Sequence, residues 1–168
     1  MPDINAGYLI GLGSNIEPEA NVINMLDLLL RCFSPIQLSR VISIPPVGMN
    51  SHRYFLNAVL FLETDMSMDE LKQLCNQIET SLGRDRTDPD SKYKDRPADL
   101  DILAHLSTLA DWEQSPSEIT DEYFLFPLID ELKHFLGKAC ETPSLQNGIS
   151  LTLNGSAFGE AATTIHRD

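Results

Sequence analysis

No apolar run in this 168-residue chain approaches the ~20 residues that a membrane-spanning helix needs. The opening Met1-Pro2-Asp3-Ile4-Asn5 lacks both the basic and the apolar stretch of a secretory signal. Together these absences predict a cytoplasmic protein with no membrane contact. Cysteine is scarce: Cys32, Cys75 and Cys140 are odd in number and far apart. That spacing suits neither a disulfide framework nor a zinc site, and predicts reduced thiols in the core. Positive charge is also short. Twelve Lys and Arg stand against 25 Asp and Glu, a net charge of −13, which argues against nucleic-acid or anionic-membrane binding because phosphates would be repelled overall. Internal repeats and low-complexity tracts are lacking as well.

What is present is a sequence of patterned segments. Tyr8 to Leu12 is a short apolar run that ends in Gly11-Leu12-Gly13-Ser14-Asn15 and reads as a buried strand closing in a tight turn. Glu17-Pro18-Glu19 suits a first helical turn, and Val22, Met25, Leu26, Leu29 and Leu30 follow at helical spacing until Ser34-Pro35. Ile36, Leu38, Ile42 and Ile44 recur with period two, predicting one half-buried strand whose apolar face Arg40 interrupts. Pro45-Pro46-Val47-Gly48 must be loop, and Phe55 to Glu63 is a second strand, apolar apart from Asn57 and its terminal Glu63. Ser67-Met68-Asp69-Glu70 is a capping box. It opens a helix with an apolar stripe of Leu71, Leu74, Cys75, Ile78 and Leu82, and Gly83 supplies the left-handed residue at its end. Ala98, Leu100 and Ile102 alternate with Asp99 and Asp101, giving a strand with one apolar and one carboxylate face. Phe124-Leu125-Phe126-Pro127-Leu128 leads into a helix that ends near Gly137. The length fits one domain, residues 1–168, whose tail from about 138 is poor in pattern and expected to be peripheral. This order predicts an α+β fold of split β-α-β type, a mostly antiparallel sheet with helices on one face and a helical C-terminal region.

The residues that carry chemistry cluster between Arg84 and Asp101. Asp99 and Asp101, two apart on a strand, project to one side roughly 6–7 Å from each other. Two carboxylates so close repel unless a cation lies between them, and magnesium prefers such hard oxygens together with phosphate. Five of the twelve basic residues, Arg84, Arg86, Lys92, Lys94 and Arg96, fall in the same stretch, diluted by Asp85, Asp88, Asp90 and Asp95. Arginine grips phosphate oxygens through a planar fork, so Arg84, Arg86 and Arg96 are candidate phosphate ligands. A structural ion-pair network is the alternative for the same three. Asn57 suits the edge of a heterocycle or a backbone partner, and Phe55, Tyr93 and Tyr123 suit stacking on a flat ring. The Gly11–Asn15 turn lacks the third glycine of a dinucleotide fingerprint and the Gly-Lys-Ser/Thr of a P-loop.

Several motifs in order and register resemble the 6-hydroxymethyl-7,8-dihydropterin pyrophosphokinase family. They are Gly11-Leu12-Gly13-Ser14-Asn15, Pro45-Pro46-Val47-Gly48, Phe55-Leu56-Asn57-Ala58, Glu79 with Gly83-Arg84-Asp85-Arg86, Arg96-Pro97-Ala98-Asp99-Leu100-Asp101-Ile102 and Phe124-Leu125-Phe126-Pro127-Leu128, spanning about residues 8 to 130. The resemblance implies a ferredoxin-like βαββαβ core. It also implies an enzyme of folate biosynthesis that moves pyrophosphate from ATP to the pterin hydroxymethyl group and releases AMP. Asp99 and Asp101 would bind two magnesium ions, and Arg84 and Arg96 would be catalytic. Arg84, Arg86, Arg96, Asn76 and Ile102 would hold ATP, and Pro45, Val47, Phe55, Asn57, Tyr93 and Tyr123 the pterin. ATP and the pterin would be its only partners, and the chain a monomer. Tyr93 stands where the family usually has a loop tryptophan, and Ser115 to Asp121 holds neither the usual histidine nor the usual arginine. These departures keep open a divergent relative that binds pterin or nucleotide with weak or altered activity. A ferredoxin-like RNA-binding module is disfavoured by the charge and by the lack of its exposed aromatic motifs.

Overall fold

Two segments of near-continuous apolarity set the centre of the fold, because a strand with no polar face must be covered on both sides. In the computed structural model, which describes residues 5–49, 51–138 and 145–168, the elements follow in order. They are β1 (Gly7–Ser14), α1 (Pro18–Cys32), β2 (Ile36–Leu38), β3 (Ile42–Ile44), β4 (Phe55–Glu63), α2 (Met68–Ser81), β5 (Asp99–Leu106), α3 (Pro116–Ile119), α4 (Phe126–Phe135), β6 (Leu151–Leu153), β7 (Ser156–Phe158) and β8 (Thr163–Ile165). The main sheet runs β5-β1-β4-β2-β8, with β3 also on β4, and every pairing in it is antiparallel. This is the ferredoxin-like order, and β1 and β4 at its centre are buried along almost their whole length.

One face is covered by α1 and α2. Met25, Leu26 and Leu29 of α1 and Leu71, Cys75 and Ile78 of α2 pack with Ile10, Leu12, Ala58 and Leu60. The other face carries α4, the helix expected in the C-terminal region. Its Leu128, Ile129 and Leu132 join Leu9, Val59, Phe61 and the buried Trp112 in a second core. Helix α2 begins as its capping box predicts, Ser67 Oγ accepting from the Glu70 amide at 3.2 Å and donating to the Glu70 carboxylate at 2.9 Å.

Three expectations are corrected. The period-two segment Ile36–Ile44 is two strands, because one extra residue lies between the pairs Leu38↔Leu60 and Ile42↔Asn57. A bulge of one residue exchanges the faces of everything beyond it. Ile36 and Leu38 therefore enter the α1 core, while Ile42 and Ile44 enter the α4 core. Side chains stabilise the break: Ser39 Oγ accepts from Val59 N at 2.9 Å, and Glu131 of α4 accepts from Arg40 N at 2.8 Å and Arg40 Nε at 3.0 Å. Next, Gly11 to Ser14 is not a turn but the end of β1, paired with β4 throughout and with β5 up to Gly13. Of the cysteines, Cys75 is a buried free thiol but Cys32 is exposed, and Cys140 lies outside the described residues.

The C-terminal residues also do more than decorate. The β6–β7 hairpin buries Leu151, Leu153 and Phe158 in the α1 core, and β8 closes the sheet beside β2. Phe158→Ala is therefore expected to lower the unfolding free energy by about 3–5 kcal/mol in urea titration. A peripheral tail would leave the midpoint unchanged.

Candidate active site

Helix α2 carries an acid on its buried stripe. Glu79 follows Leu71 and Cys75 at four-residue spacing and is wholly buried. An unpaired carboxylate there would be strongly destabilising. Instead its Oε2 accepts from Arg84 Nη1 at 3.0 Å, Arg86 Nη2 at 2.8 Å and the Leu100 amide at 2.8 Å, while Oε1 accepts from Arg86 Nε at 2.6 Å. The Leu100 contact fastens α2 to β5 between the two candidate metal aspartates. Gly83, at φ +101, reverses the chain so that Arg84 N returns to Glu79 O at 3.0 Å.

Asp99 belongs to this network. Arg84 Nη1 donates to its Oδ1 at 2.8 Å and to Ala98 O at 3.1 Å, Arg96 Nη1 lies 3.3 Å from its Oδ2, and Arg86 Nη2 is 3.9 Å from Oδ1. The ion-pair network that stood as the alternative for the three arginines is thus formed. Its bond to Glu79 holds the Arg86 guanidinium above its ordinary range. Asp101 stands outside the network, its carboxylate making no hydrogen bond or ion pair among the described residues. Burial first, then the charges of Asp99, Glu122 and Glu79, push its carboxyl up to about 7, with Arg86 opposing. Glu122 is raised as well, by burial and by Asp99. The site is short of positive charge at Asp101. Among the described residues no group of three or more His, Cys, Asp or Glu is placed to hold a metal alone. Two carboxylates lacking one cation fit magnesium, which completes its shell with water and phosphate oxygens.

Two cavities open on these aspartates. The first, about 360 Å³, brings together the predicted residues Pro45, Val47, Phe55, Asn57 and Tyr123 with Arg96 and Asp99. The register explains its floor. Gly13 lies opposite Asn57 on one side and Asp99 on the other, so all three share one face of the sheet. A Cβ on Gly13 would stand 2.8 Å from Asn57 Oδ1, so glycine keeps this row open. The amide nitrogen of Asn57 is buried and has no partner among the described residues, a donor awaiting an acceptor. Arg96 lies 5.8 Å over the Phe55 ring. Tyr123 is an exposed wall.

The second cavity, about 320 Å³, is lined by Asn76, Arg86, Asp101 and Ile102, with Met68, Lys72 and Cys75 beside them. Burial above all pushes the Cys75 thiol up to about 12, so it is a neutral wall. Arg84 reaches neither cavity, being sealed within the network. Tyr93 does not join the first cavity; it is exposed beside Asp90, Lys94 and Asp95 in a separate open depression.

Two residues gain roles that the sequence reading did not assign. Glu79 was legible as an acid on an apolar stripe. Asn15 was not: its amide accepts from Arg96 N at 2.7 Å and donates to Asp95 at 2.9 Å, pinning the approach to β5. Glu79→Gln removes the close counter-charge of half-buried Arg86 and leaves buried Arg84 with Asp99 alone. It is expected to lower stability by about 3–5 kcal/mol in denaturant titration. A loss below about 1 kcal/mol, the scale of a surface pair, would contradict this role.

Comparison with known proteins places the chain among relatives of one family. The profile of the 7,8-dihydro-6-hydroxymethylpterin-pyrophosphokinase family covers residues 9–130. A 2-amino-4-hydroxy-6-hydroxymethyldihydropteridine pyrophosphokinase of Porphyromonas gingivalis is 34% identical over 98 residues, 57% of this chain and 67% of that one. The protein of the same name from Bacillus subtilis is 29% identical over 163 residues, 93% of this chain and 95% of that one. One from Campylobacter jejuni is 33% identical over 101 residues, 56% of this chain and 60% of that one. The chain belongs to the 7,8-dihydro-6-hydroxymethylpterin-pyrophosphokinase family.

Proposed function

We propose that this protein transfers pyrophosphate from ATP to the hydroxymethyl group of 6-hydroxymethyl-7,8-dihydropterin in folate biosynthesis. The observation that carries this reading is the meeting of two cavities at one strand: Asp99 faces the first and Asp101 the second. Two substrates held there bring their reacting ends together at the carboxylates, which turns a bimolecular encounter into a positioned one. The pterin occupies the first cavity. Asn57 offers its unpartnered amide to a ring acceptor, Phe55 and Tyr123 flank the ring, and Pro45 and Val47 close the edge. ATP occupies the second, with Asn76 and Ile102 on the nucleoside and Arg86 on the phosphates. Arg96, in the first cavity beside Asp99, receives the phosphate end.

The pterin hydroxyl oxygen bonds to the β-phosphorus as the bond from that phosphorus to the oxygen bridging it to the α-phosphorus breaks. AMP leaves and the hydroxyl proton passes to solvent. Two magnesium ions, held by Asp99 and Asp101 when bound, supply neutralisation of charge on the phosphate oxygens. The chain's own contribution is positional and electrostatic: Arg86 and Arg96 meet the phosphate charge, and Arg84 holds Asp99 aimed and adds positive charge behind it. Tyr93, on its loop outside the cavity, would reach substrate only by movement of that loop. The chain is taken to act as one domain and as a monomer in the cytoplasm. Among the described residues no helix is long and apolar enough to cross a membrane.

The test is AMP formation by the purified protein with magnesium, ATP and the pterin alcohol; no AMP above a pterin-free control would remove the proposal. Asp101→Asn disturbs no ion pair. It is expected to cut kcat/KM on the order of 100-fold or more, the scale of losing one contact to developing charge. An unchanged rate would mean the carboxylate has been misassigned. Asn57→Ala is expected to raise the pterin KM roughly tenfold and leave the ATP KM alone, as loss of one buried hydrogen bond to substrate would. Equal effects on both substrates would place the pterin elsewhere.

A further inference from the structure

The second cavity holds a cation that nothing above has used. Met68, Lys72 and Asn76 lie four residues apart on α2, so one face of that helix forms a wall of the cavity. Lys72 is exposed there. Arg31, Arg40, Arg53, Arg84, Arg86, Lys94 and Arg96 all sit in ion pairs. Lys133, Lys138 and Arg167 donate to backbone carbonyls. Among the Lys and Arg side chains described, Lys72 stands apart in making no hydrogen bond and no ion pair.

An exposed lysine is ordinarily just solvated, so position has to decide. Around this cavity the balance of charge is unfavourable to an anion. Asp101 lines it, and Arg86, its other cation, is already shared with Glu79. Ser115 to Glu122 contains no Lys or Arg, and its Asp121 and Glu122 line the neighbouring cavity. A polyphosphate nucleotide therefore meets acids from two sides, and Lys72 is the uncommitted positive charge that faces it.

Resting on the function proposed above, we infer that Lys72 binds the nucleotide. It stands on α2 beyond Asn76, seven residues and about two turns from the phosphate-side anchor Glu79, which places its ammonium at the nucleoside end of the cavity. There it donates to an acceptor of the nucleoside, and its charge offsets Asp101 for the incoming anion. The side chain is exposed and makes no hydrogen bond or ion pair with the described residues, so its removal does not disturb the fold.

The experiment is calorimetric titration of the full chain with a non-hydrolysable ATP analogue and magnesium, comparing wild type with Lys72→Ala, Lys72→Glu and Lys72→Arg. Lys72→Ala is expected to weaken binding roughly three- to tenfold at low salt, Lys72→Glu more, and Lys72→Arg to restore it. The gap between wild type and Lys72→Ala should narrow as salt rises, because the interaction is screened. Affinity for the pterin and the melting temperature should not move. If wild type binds the analogue and Lys72→Ala binds it equally well, the role of Lys72 is overturned and the nucleotide site stands. If wild type itself does not bind, both fall together.

Discussion

The buried carboxylate of Glu79 is the constraint on which the site depends. It lies at the end of α2, where four donors converge on its two oxygens. Each of those bonds fixes something the chemistry needs. The Leu100 amide sets the height of β5 against the helix, Arg84 reaches through to Asp99, and Arg86 is held at the wall of the second cavity. A charged group in an apolar core is tolerable only when fully paired, so the arrangement is close to all-or-none. Gly83 makes it possible by turning the chain back through a conformation that L-residues rarely adopt.

The two aspartates are consequently unlike. Asp99 is ringed by three arginines, while Asp101 has burial and like charge around it and no ion-pair partner among the described residues. A strand that alternates its side chains sends both to one face, yet each opens on a different cavity because β5 is the edge of the sheet. The two cavities thus reach the strand at aspartates two residues apart, and under the function proposed above pterin and nucleotide meet there. The protein reaches this with a net charge of −13 by gathering arginines within one segment. Ser115 to Glu122 contributes no cation, and among the described Lys and Arg side chains Lys72 of α2 makes no hydrogen bond or ion pair.

Much of this was legible in the residues. The capping box of α2 and the alternation through Asp99 and Asp101 emerged as read, since each depends on local spacing, and Pro45, Val47, Phe55, Asn57 and Tyr123, singled out by motifs in register, line one cavity. What was not legible depended on pairing across the sheet. The bulge at Ser39–Val41 leaves the period-two pattern intact in sequence while sending Ile42 and Ile44 to the opposite core. Gly11 and Gly13 look like turn residues, but both are strand residues, and the smallness of Gly13 keeps open the floor between Asn57 and Asp99. The terminal strand β8 is three residues long and shows itself only through its partner β2. For Arg84 the residues left a phosphate ligand and a structural ion pair both open, and only the fold reveals it bonded between Glu79 and Asp99.

The central claim is that the two cavities deliver the pterin hydroxyl to the β-phosphorus of ATP. Phosphorus NMR of the product tests it most directly. The account predicts a pterin ester with two mutually coupled phosphorus signals, formed together with AMP. A pterin monophosphate with ADP, or an adenylated pterin with free pyrophosphate, would place the attack at another phosphorus and contradict the arrangement of the site.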